Sequence, residues 1–132
     1  MITDIALVLP TSGTTGTPKL VPLTQSHIKA SVQAWAQALG LTDQDRCLNI
    51  MPVWHGGLIS NVMASDAVGA TVINVPTPSS ALELWGLVAE FNPTWLPLTL
   101  PLARQILADE RIFRPTADLR FVRLSKCLPD LT

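Results

Sequence analysis

The sequence predicts an α/β fold, a partial three-layer sandwich built on a mostly parallel sheet. Short runs of apolar residues alternate along the chain with segments in which apolar residues recur three or four positions apart. The first pattern is typical of strands covered on both faces, and the second of helices that pack one side against a sheet. Strands separated by helices favour parallel β-α-β units with right-handed crossovers.

Five segments carry the strand pattern, and they are spread over the whole chain. They are residues 5–9, 46–51, 70–75, 94–98 and 119–124. We expect the run Ile-Ala-Leu-Val-Leu at 5–9 to be buried on both faces. Pro97 weakens the prediction of a strand at 94–98, since proline cannot donate a backbone hydrogen bond within a sheet.

The first helix is predicted to follow Thr24, a plausible N-cap, and to end before Gly40, a plausible C′ residue. Its apolar positions recur at steps of four, three and four: Ile28, Val32, Trp35 and Leu39. His27 falls outside this stripe and is expected on the solvated surface. Further helices are expected at 58–69, at 80–91 after a capping-box pattern of Ser80 and Glu83, and near Pro101.

Composition limits the class of protein. The 132 residues fit one domain, 14% of them are charged, and the net charge is −1 with no basic block. This argues against a nucleic-acid-binding protein and against a disordered, highly charged chain. We expect no membrane span and see no secretory signal. Cys47 and Cys127 form no disulfide framework or metal spacing, so we expect small buried side chains and a reduced, cytoplasmic location.

One loop carries a recognisable chemistry. Residues 11–19 read Thr-Ser-Gly-Thr-Thr-Gly-Thr-Pro-Lys, between the first predicted strand and the first predicted helix. Glycines allow the backbone to approach a ligand, hydroxyls and free amides surround anionic oxygens, and a lysine adds a positive charge. The loop therefore predicts a polyphosphate site.

Two common phosphate motifs do not fit this loop. Only two residues separate Gly13 and Gly16, and Pro18 precedes Lys19, so the Walker A pattern is absent. The Gly-x-Gly-x-x-Gly dinucleotide fingerprint is absent as well. The alternative interpretation is a flexible, polar surface loop without a ligand.

The loop resembles the phosphate-binding signature of the adenylate-forming superfamily, which includes acyl-CoA synthetases, luciferases and peptide-synthetase adenylation domains. Segments 51–56, 69–72, 92–97 and 119–125 resemble further family motifs, so the resemblance covers essentially the whole chain. The sequence of residues 19–24, Lys-Leu-Val-Pro-Leu-Thr, is similar to the corresponding segment in the acyl-CoA synthetase branch that includes oxalate–CoA ligases.

The resemblance implies a two-step reaction. A small-molecule carboxylic acid attacks the α-phosphate of ATP with Mg²⁺ present, and the thiol of coenzyme A then displaces AMP from the acyl-adenylate. By the same resemblance the β- and γ-phosphates would be cradled by Thr11, Ser12, Gly13, Thr14, Thr15 and Gly16. Lys19 would contact the leaving pyrophosphate.

The resemblance gives His55 a catalytic role near the carboxylate. The alternative is a packed, hydrogen-bonded histidine beside Trp54. Amino-acid-activating domains commonly have Asp at this position, so His55 points away from a peptide-synthetase adenylation domain, which remains the weaker family assignment.

The resemblance also predicts what this chain lacks. We expect residues 1–132 to form a partial AMP-binding (adenylation) domain without the lid domain and without the downstream Mg²⁺ and ribose motifs. The isolated chain would then be inactive, as a fragment of an acid–CoA ligase completed by the remainder of the enzyme. Alternatives are a non-catalytic truncated remnant, a subunit completed by another chain, and a free-standing nucleotide-binding module. Lys126 and Cys127 replace small residues of the family pattern and put the shape of the acid pocket in doubt.

Overall fold

The computed structural model describes residues 4–11, 16–52, 57–108 and 118–125. Its strands are β1 Ile5–Pro10, β2 Leu20–Thr24, β3 Arg46–Asn49, β4 Thr71–Asn74, β5 Trp95–Thr99 and β6 Phe121–Ser125. Its α-helices are α1 Gln25–Ala38, α2 Ala64–Asp66, α3 Ala81–Phe91 and α4 Leu100–Ala108, and a π-helical segment, Leu58–Met63, leads directly into α2. Cys127 lies outside the described residues.

Four strands form a parallel sheet in the order β4-β3-β5-β6. Leu48 of β3 is paired with Ile73 of β4, and Leu98 of β5 is paired with Leu124 of β6. Helical segments connect these strands, as parallel neighbours require. The predicted α/β class and mostly parallel sheet are therefore confirmed.

Alternating side chains of the sheet belong to two separate apolar clusters, one on each face of the sheet. The sheet and the helices that cover its two faces form the three layers. Leu48 and Leu96 are buried in a cluster with α3 and α4. Cys47 and Trp95 are buried in a second cluster with Ala36 of α1 and Ala64 of α2. Because successive residues of a strand point to opposite faces, β3, β4 and β5 each contribute to both clusters.

The expectation for the first strand is wrong. β1 pairs antiparallel with β2 in a separate two-stranded sheet, and Ile5 and Val8 are 55% and 47% exposed. A two-stranded hairpin has one neighbour per strand and no second layer over its outer face, so an apolar run is not covered on both sides. The loop at 11–19 consequently leads into β2 and not directly into a helix.

Helix α1 begins and ends where the sequence predicts. The hydroxyl of Thr24 accepts a hydrogen bond from the His27 amide at 3.2 Å, and Gly40 has a φ of +59° after the helix. His27 is exposed as expected, but it also acts in the cap, since its Nδ1 accepts from the Thr24 amide at 3.4 Å. In the apolar stripe Ala36 is buried while Trp35 is about one-third exposed.

The start of α3 differs from the predicted capping box by one residue. The Ser80 hydroxyl accepts from the Glu83 amide at 3.2 Å, as predicted. The Glu83 carboxylate, however, accepts from the amide and hydroxyl of Ser79, both at 2.8 Å, and these bonds lower the pKa of Glu83. The helix is therefore capped from two consecutive serines.

Pro97 lies inside the sheet, in β5, paired with Arg123 of β6 and fully buried. The pairing recorded between β3 and β5 is Cys47 with Trp95, at the start of β5 and before the proline. The sheet thus accommodates Pro97 because the ladder toward β3 does not depend on its missing amide hydrogen.

Within the described ranges, no helix is both long and apolar enough to cross a bilayer.

Candidate functional site

The loop between β1 and β2 is closed by a pair of hydrogen bonds at its base. The Thr11 amide donates to the Lys19 carbonyl oxygen at 2.8 Å, and the Lys19 amide donates to the Thr11 hydroxyl at 3.1 Å. Thr11 and Lys19, eight residues apart, are thus held opposite each other. The Thr11 hydroxyl retains its own hydrogen for a further acceptor, such as a phosphate oxygen.

Gly16 provides a backbone conformation that other residues rarely adopt. Its φ is +93°, and a Cβ placed on it would meet nothing within 4 Å. The requirement for glycine is therefore conformational and not steric. Gly16 and Lys19 are exposed, which leaves both accessible to an anion. Ser12, Gly13, Thr14 and Thr15 lie outside the described residues, so their phosphate roles stay predictions.

The hairpin is attached to the layered domain through its apolar side. Leu7 of β1 and Leu23 of β2 pack against a cluster formed by Ile28, Val32 and Ile59. The Gln25 amide donates to the Asp4 carbonyl at 3.1 Å at the start of α1. These contacts fix the base of the loop relative to α1 and the π-helical segment.

A polar cluster that sequence reasoning missed lies toward the carboxyl end of the parallel sheet, where ligands of open α/β sheets bind. The Asn49 amide group donates to the Met51 carbonyl at 3.1 Å and to the Asn74 side-chain oxygen at 2.8 Å. The Asn61 amide group donates to the Asn49 side-chain oxygen at 3.4 Å. Asn49 and Asn61 are both at most 1% exposed, so these bonds satisfy groups that water cannot reach.

Arg123 of β6 completes this cluster. Its Nη1 donates to the Asn61 side-chain oxygen at 2.6 Å and to the Ser60 hydroxyl at 2.9 Å. Its guanidinium carbon lies 4.2 Å from the ring centroid of Trp35. Partial burial lowers the pKa of Arg123. The signal in the sequence was a polar residue between apolar neighbours in each of two strands: Asn49 and Arg123.

A second polar cluster lies at the opposite, amino end of the strands. The Asp45 carboxylate, 1% exposed, accepts from the Thr94 hydroxyl at 2.6 Å, from the Thr42 amide at 2.9 Å and from Arg120 Nη1 at 2.6 Å. Burial opposes its ionisation, but the bonds from Thr94, Arg120 and Thr42 together lower its pKa. Its position away from the carboxyl ends indicates a structural role.

The donor types suit an anion better than a metal ion. Among the residues that the structure describes, no group of three His, Cys, Asp or Glu side chains could hold a metal. The base of the 11–19 loop instead offers a hydroxyl, a glycine backbone and an exposed ammonium group. These are the groups that proteins use around phosphates.

His55, the second predicted catalytic residue, lies outside the described residues. The chain is described up to Pro52, after the carboxyl end of β3, and again from Gly57. The predicted role of His55 near a carboxylate therefore stays a prediction. In the described part of the chain no hydrogen bond joins the phosphate loop to the Asn49–Arg123 cluster.

A family model described as "AMP-binding enzyme" matches residues 2–128. The chain belongs to the AMP-binding enzyme family. The predicted resemblance to adenylate-forming enzymes is thereby confirmed.

Relatives and solved structures of AMP-binding enzymes agree with this assignment. An oxalate–CoA ligase of Arabidopsis thaliana is 36% identical over 126 residues, which cover 91% of this chain and 24% of the relative. The O-succinylbenzoate coenzyme A synthetase of Bacillus subtilis in complex with AMP matches with a TM-score of 0.77 and 27% identity, over 95% of this chain and 32% of that one. The same synthetase with ATP and a magnesium ion matches with a TM-score of 0.73 and 26% identity, over 94% and 32%. The chain thus spans about a quarter of the length of the curated relative.

Proposed function

We propose that this chain contributes the phosphate-binding part of an AMP-forming acid–CoA ligase. The whole enzyme would activate a carboxylic acid with ATP to an acyl-adenylate and pyrophosphate, and then form a thioester with coenzyme A. One observation carries the proposal: the loop closed by Thr11 and Lys19, with Gly16 at positive φ, in a chain of the AMP-binding enzyme family. The names of the relatives, which are acid–CoA ligases, support it.

The physical difficulty of the first step is charge, because a carboxylate must approach a polyanion. The Thr11 hydroxyl can donate to a β- or γ-phosphate oxygen while it accepts from the Lys19 amide. The Lys19 ammonium places a positive charge beside the pyrophosphate as it leaves. Such groups lower the barrier because they are in place before the charge moves.

Mg²⁺ would supply further neutralisation of the triphosphate when bound. Its protein ligand would come from the downstream Mg²⁺ motif that the family resemblance implies for the whole enzyme. The part played by this chain is then to hold the phosphates through Thr11, Gly16 and Lys19. We keep the predicted contacts of residues 12–15 as part of the same proposal.

His55 is proposed to contact the carboxylate of the acid. A histidine can donate a hydrogen bond to a carboxylate in either protonation state. We keep residues 1–132 as a partial adenylation domain, with the acid pocket completed elsewhere in the enzyme. The 132-residue chain alone is then expected to show no acid-dependent exchange of pyrophosphate into ATP.

Binding of magnesium pyrophosphate to the 132-residue chain tests the phosphate site directly. Calorimetry should show binding by the natural sequence and an affinity at least about tenfold weaker for Lys19→Ala, the scale of a lost charge-assisted hydrogen bond. Lys29→Ala is the matched control, because Lys29 is also exposed but lies on α1. Equal losses in both variants, or no loss in Lys19→Ala, would contradict the proposal.

The exchange reaction tests the expectation that the site is incomplete. Exchange well above background by the purified chain, abolished by Lys19→Ala, would show that the 132 residues hold a complete site. Appearance of exchange only after the chain is joined to the remainder of a family enzyme would support the division proposed here.

A second candidate, a subunit completed by another chain, is favoured by one observation. Val122 and Leu124 are apolar residues of β6, the last strand of the described four-stranded sheet, and they are 40% and 57% exposed. Sedimentation of the purified chain distinguishes the two cases. A self-association that is lost in Val122→Thr/Leu124→Thr would favour completion by another chain, and a stable monomer would argue against it.

A further inference from the structure

The β1–β2 hairpin rests on an apolar cluster to which none of the described side chains of the parallel sheet belongs. The buried members of this cluster come from α1 and the π-helical segment, and we call them the hairpin seat: Ile28, Val32 and Ile59. Leu7 and Leu23 pack against the seat from the hairpin. The position of the hairpin relative to the parallel sheet therefore depends on how α1 and the π-helical segment are held.

Arg123 of β6 contacts both elements of the hairpin seat at once. Its Nη1 donates to the Asn61 side-chain oxygen at 2.6 Å and to the Ser60 hydroxyl at 2.9 Å, and both residues lie in the π-helical segment. Its guanidinium carbon lies 4.2 Å from the ring centroid of Trp35, which belongs to α1. One side chain of the parallel sheet thus binds the two elements that support the hairpin.

The contacts of Arg123 are stronger than a second polar link between the sheet and the π-helical segment. That link runs from the Asn61 amide group to the Asn49 side-chain oxygen, at 3.4 Å and between neutral groups. Bonds from a guanidinium are charge-assisted, and a cation over an indole ring adds a further attraction. Without Arg123 the fully buried Asn61 oxygen would keep only the bond from the Ser60 hydroxyl, at 3.3 Å. Loss of Arg123 should therefore loosen the seat.

We propose that Arg123 is a positioning residue for the β1–β2 hairpin, and through it for the phosphate loop that Thr11 and Lys19 close. It acts by tying α1 and the π-helical segment to the parallel sheet, so that the hairpin seat keeps its shape. The inference rests on the proposed function in one respect, because the position of the hairpin matters to the reaction only if its loop binds phosphate. Arg120 provides a matched comparison, since it bonds to the buried Asp45 at the opposite end of the sheet.

Amide hydrogen exchange of the 132-residue chain, resolved by residue with NMR, tests the positioning role. A two-stranded hairpin is marginally stable by itself, so its amides should exchange when it leaves the seat. The reference is the set of amides in β3 and β5, the two inner strands of the parallel sheet. In Arg123→Met the ratio of hairpin to inner-strand exchange rates should rise at least about tenfold, the scale of one lost charge-assisted bond.

Three further variants separate positioning from a general loss of stability. Arg123→Lys keeps a positive charge and a donor, and it should restore most of the natural ratio. Arg120→Met should accelerate exchange in the hairpin and the inner strands together, because its bonds to Asp45 support the sheet itself. Asn61→Ala removes one partner of Arg123 and should raise the ratio as well, and it serves if Arg123→Met does not fold.

An unchanged ratio in Arg123→Met and Asn61→Ala overturns the inference, and so does an equal rise of the ratio in Arg120→Met. Magnesium pyrophosphate separates this result from the proposed function. It should bind the natural sequence, and it should bind Arg123→Met more weakly only to the extent that fewer chains hold the hairpin in place. Failure of the natural sequence to bind pyrophosphate would count against the proposed function, whereas the exchange ratio would still decide the role of Arg123.

Discussion

Nη1 of Arg120 bonds to the carboxylate of Asp45, 75 residues earlier in the chain. Asp45 precedes β3 and Arg120 precedes β6, and Thr94, which also bonds to Asp45, precedes β5. A single buried carboxylate thus ties together the amino ends of three parallel strands. Strands that are distant in sequence gain a common register from this one side chain.

The first prediction concerns this carboxylate. Asp45→Asn should lower the free energy of unfolding by about 1–2 kcal/mol, because Thr42 and Arg120 lose their charged acceptor. The contribution of Arg120 is reduced because its side chain is about half exposed to solvent. Chemical denaturation at pH 7 measures the change. A loss no larger than that of Asp43→Asn, an exposed neighbour, would contradict the structural role.

The pH dependence of stability follows from the lowered pKa of Asp45. Its stabilising effect is fully present above its unfolded pKa, near 3.8, and is lost as the pH falls through the lower pKa of the folded state. Below about pH 4 the free energy of unfolding should therefore fall more steeply in the natural sequence than in Asp45→Asn. Parallel curves for the two proteins would refute this.

The second prediction concerns the hydroxyl of Thr11. Thr11→Ser keeps the acceptor for the Lys19 amide and a donor for phosphate, so magnesium pyrophosphate binding should be close to that of the natural sequence. Thr11→Val removes both and should weaken binding about five- to tenfold. Calorimetry compares the two variants, and equal affinities would show that the hydroxyl does not take part.

The third prediction concerns the thiol of Cys47. The side chain is completely buried, and burial raises the pKa of the thiol to about 12. Because the thiolate is the reactive form, Cys47 should resist alkylation by iodoacetamide at pH 7.5 in the folded chain and react readily in denaturant. Cys127→Ser removes the other thiol from the measurement. Rapid labelling of the folded variant would disprove the burial.

The fourth prediction compares two glycines. Gly86 lies in α3 with nothing within 4 Å of a built Cβ, so Gly86→Ala should stabilise the fold by about 0.5–1 kcal/mol. Gly40 has equally open surroundings but a φ of +59°, so Gly40→Ala should cost about 1–2 kcal/mol. Urea unfolding midpoints give both values, and a shift in the same direction for the two would contradict the conformational argument.

Local features of the sequence were sufficient for much of the fold. The cap of α1 at Thr24 and its end at Gly40 follow from two residue types, and both are confirmed. The apolar periodicity correctly predicted that Ile28 and Val32 are buried, but Trp35 is exposed and Ala36 is buried in its place. The phosphate loop was recognised for the same reason, since its residue types stand next to one another in the chain. Thr11 and Lys19 needed the structure only to show that each bonds to the other.

The Asn49–Asn61–Arg123 cluster could not be derived in this way. Its members are separated by 12 and 62 residues, and no local pattern linked one of them to another. Likewise Asp45 and Arg120 gave no sign that they would meet. Side-chain hydrogen bonds between distant residues depend on which strands become neighbours, and no local pattern encodes that.

The sequence by itself determined the main helices and five of the six described strands, the parallel α/β class, and the family to which the phosphate loop belongs; it did not predict β2. Only the tertiary structure decided that β1 lies in an exposed hairpin, that Pro97 lies inside the sheet, and that Asn49, Asn61 and Arg123 meet near the carboxyl end of the parallel sheet. The physical reason is the distance along the chain over which each kind of interaction acts. Periodicity, caps and turn residues act over a few neighbours, whereas burial and polar pairing are set by contacts between elements that are far apart in the chain.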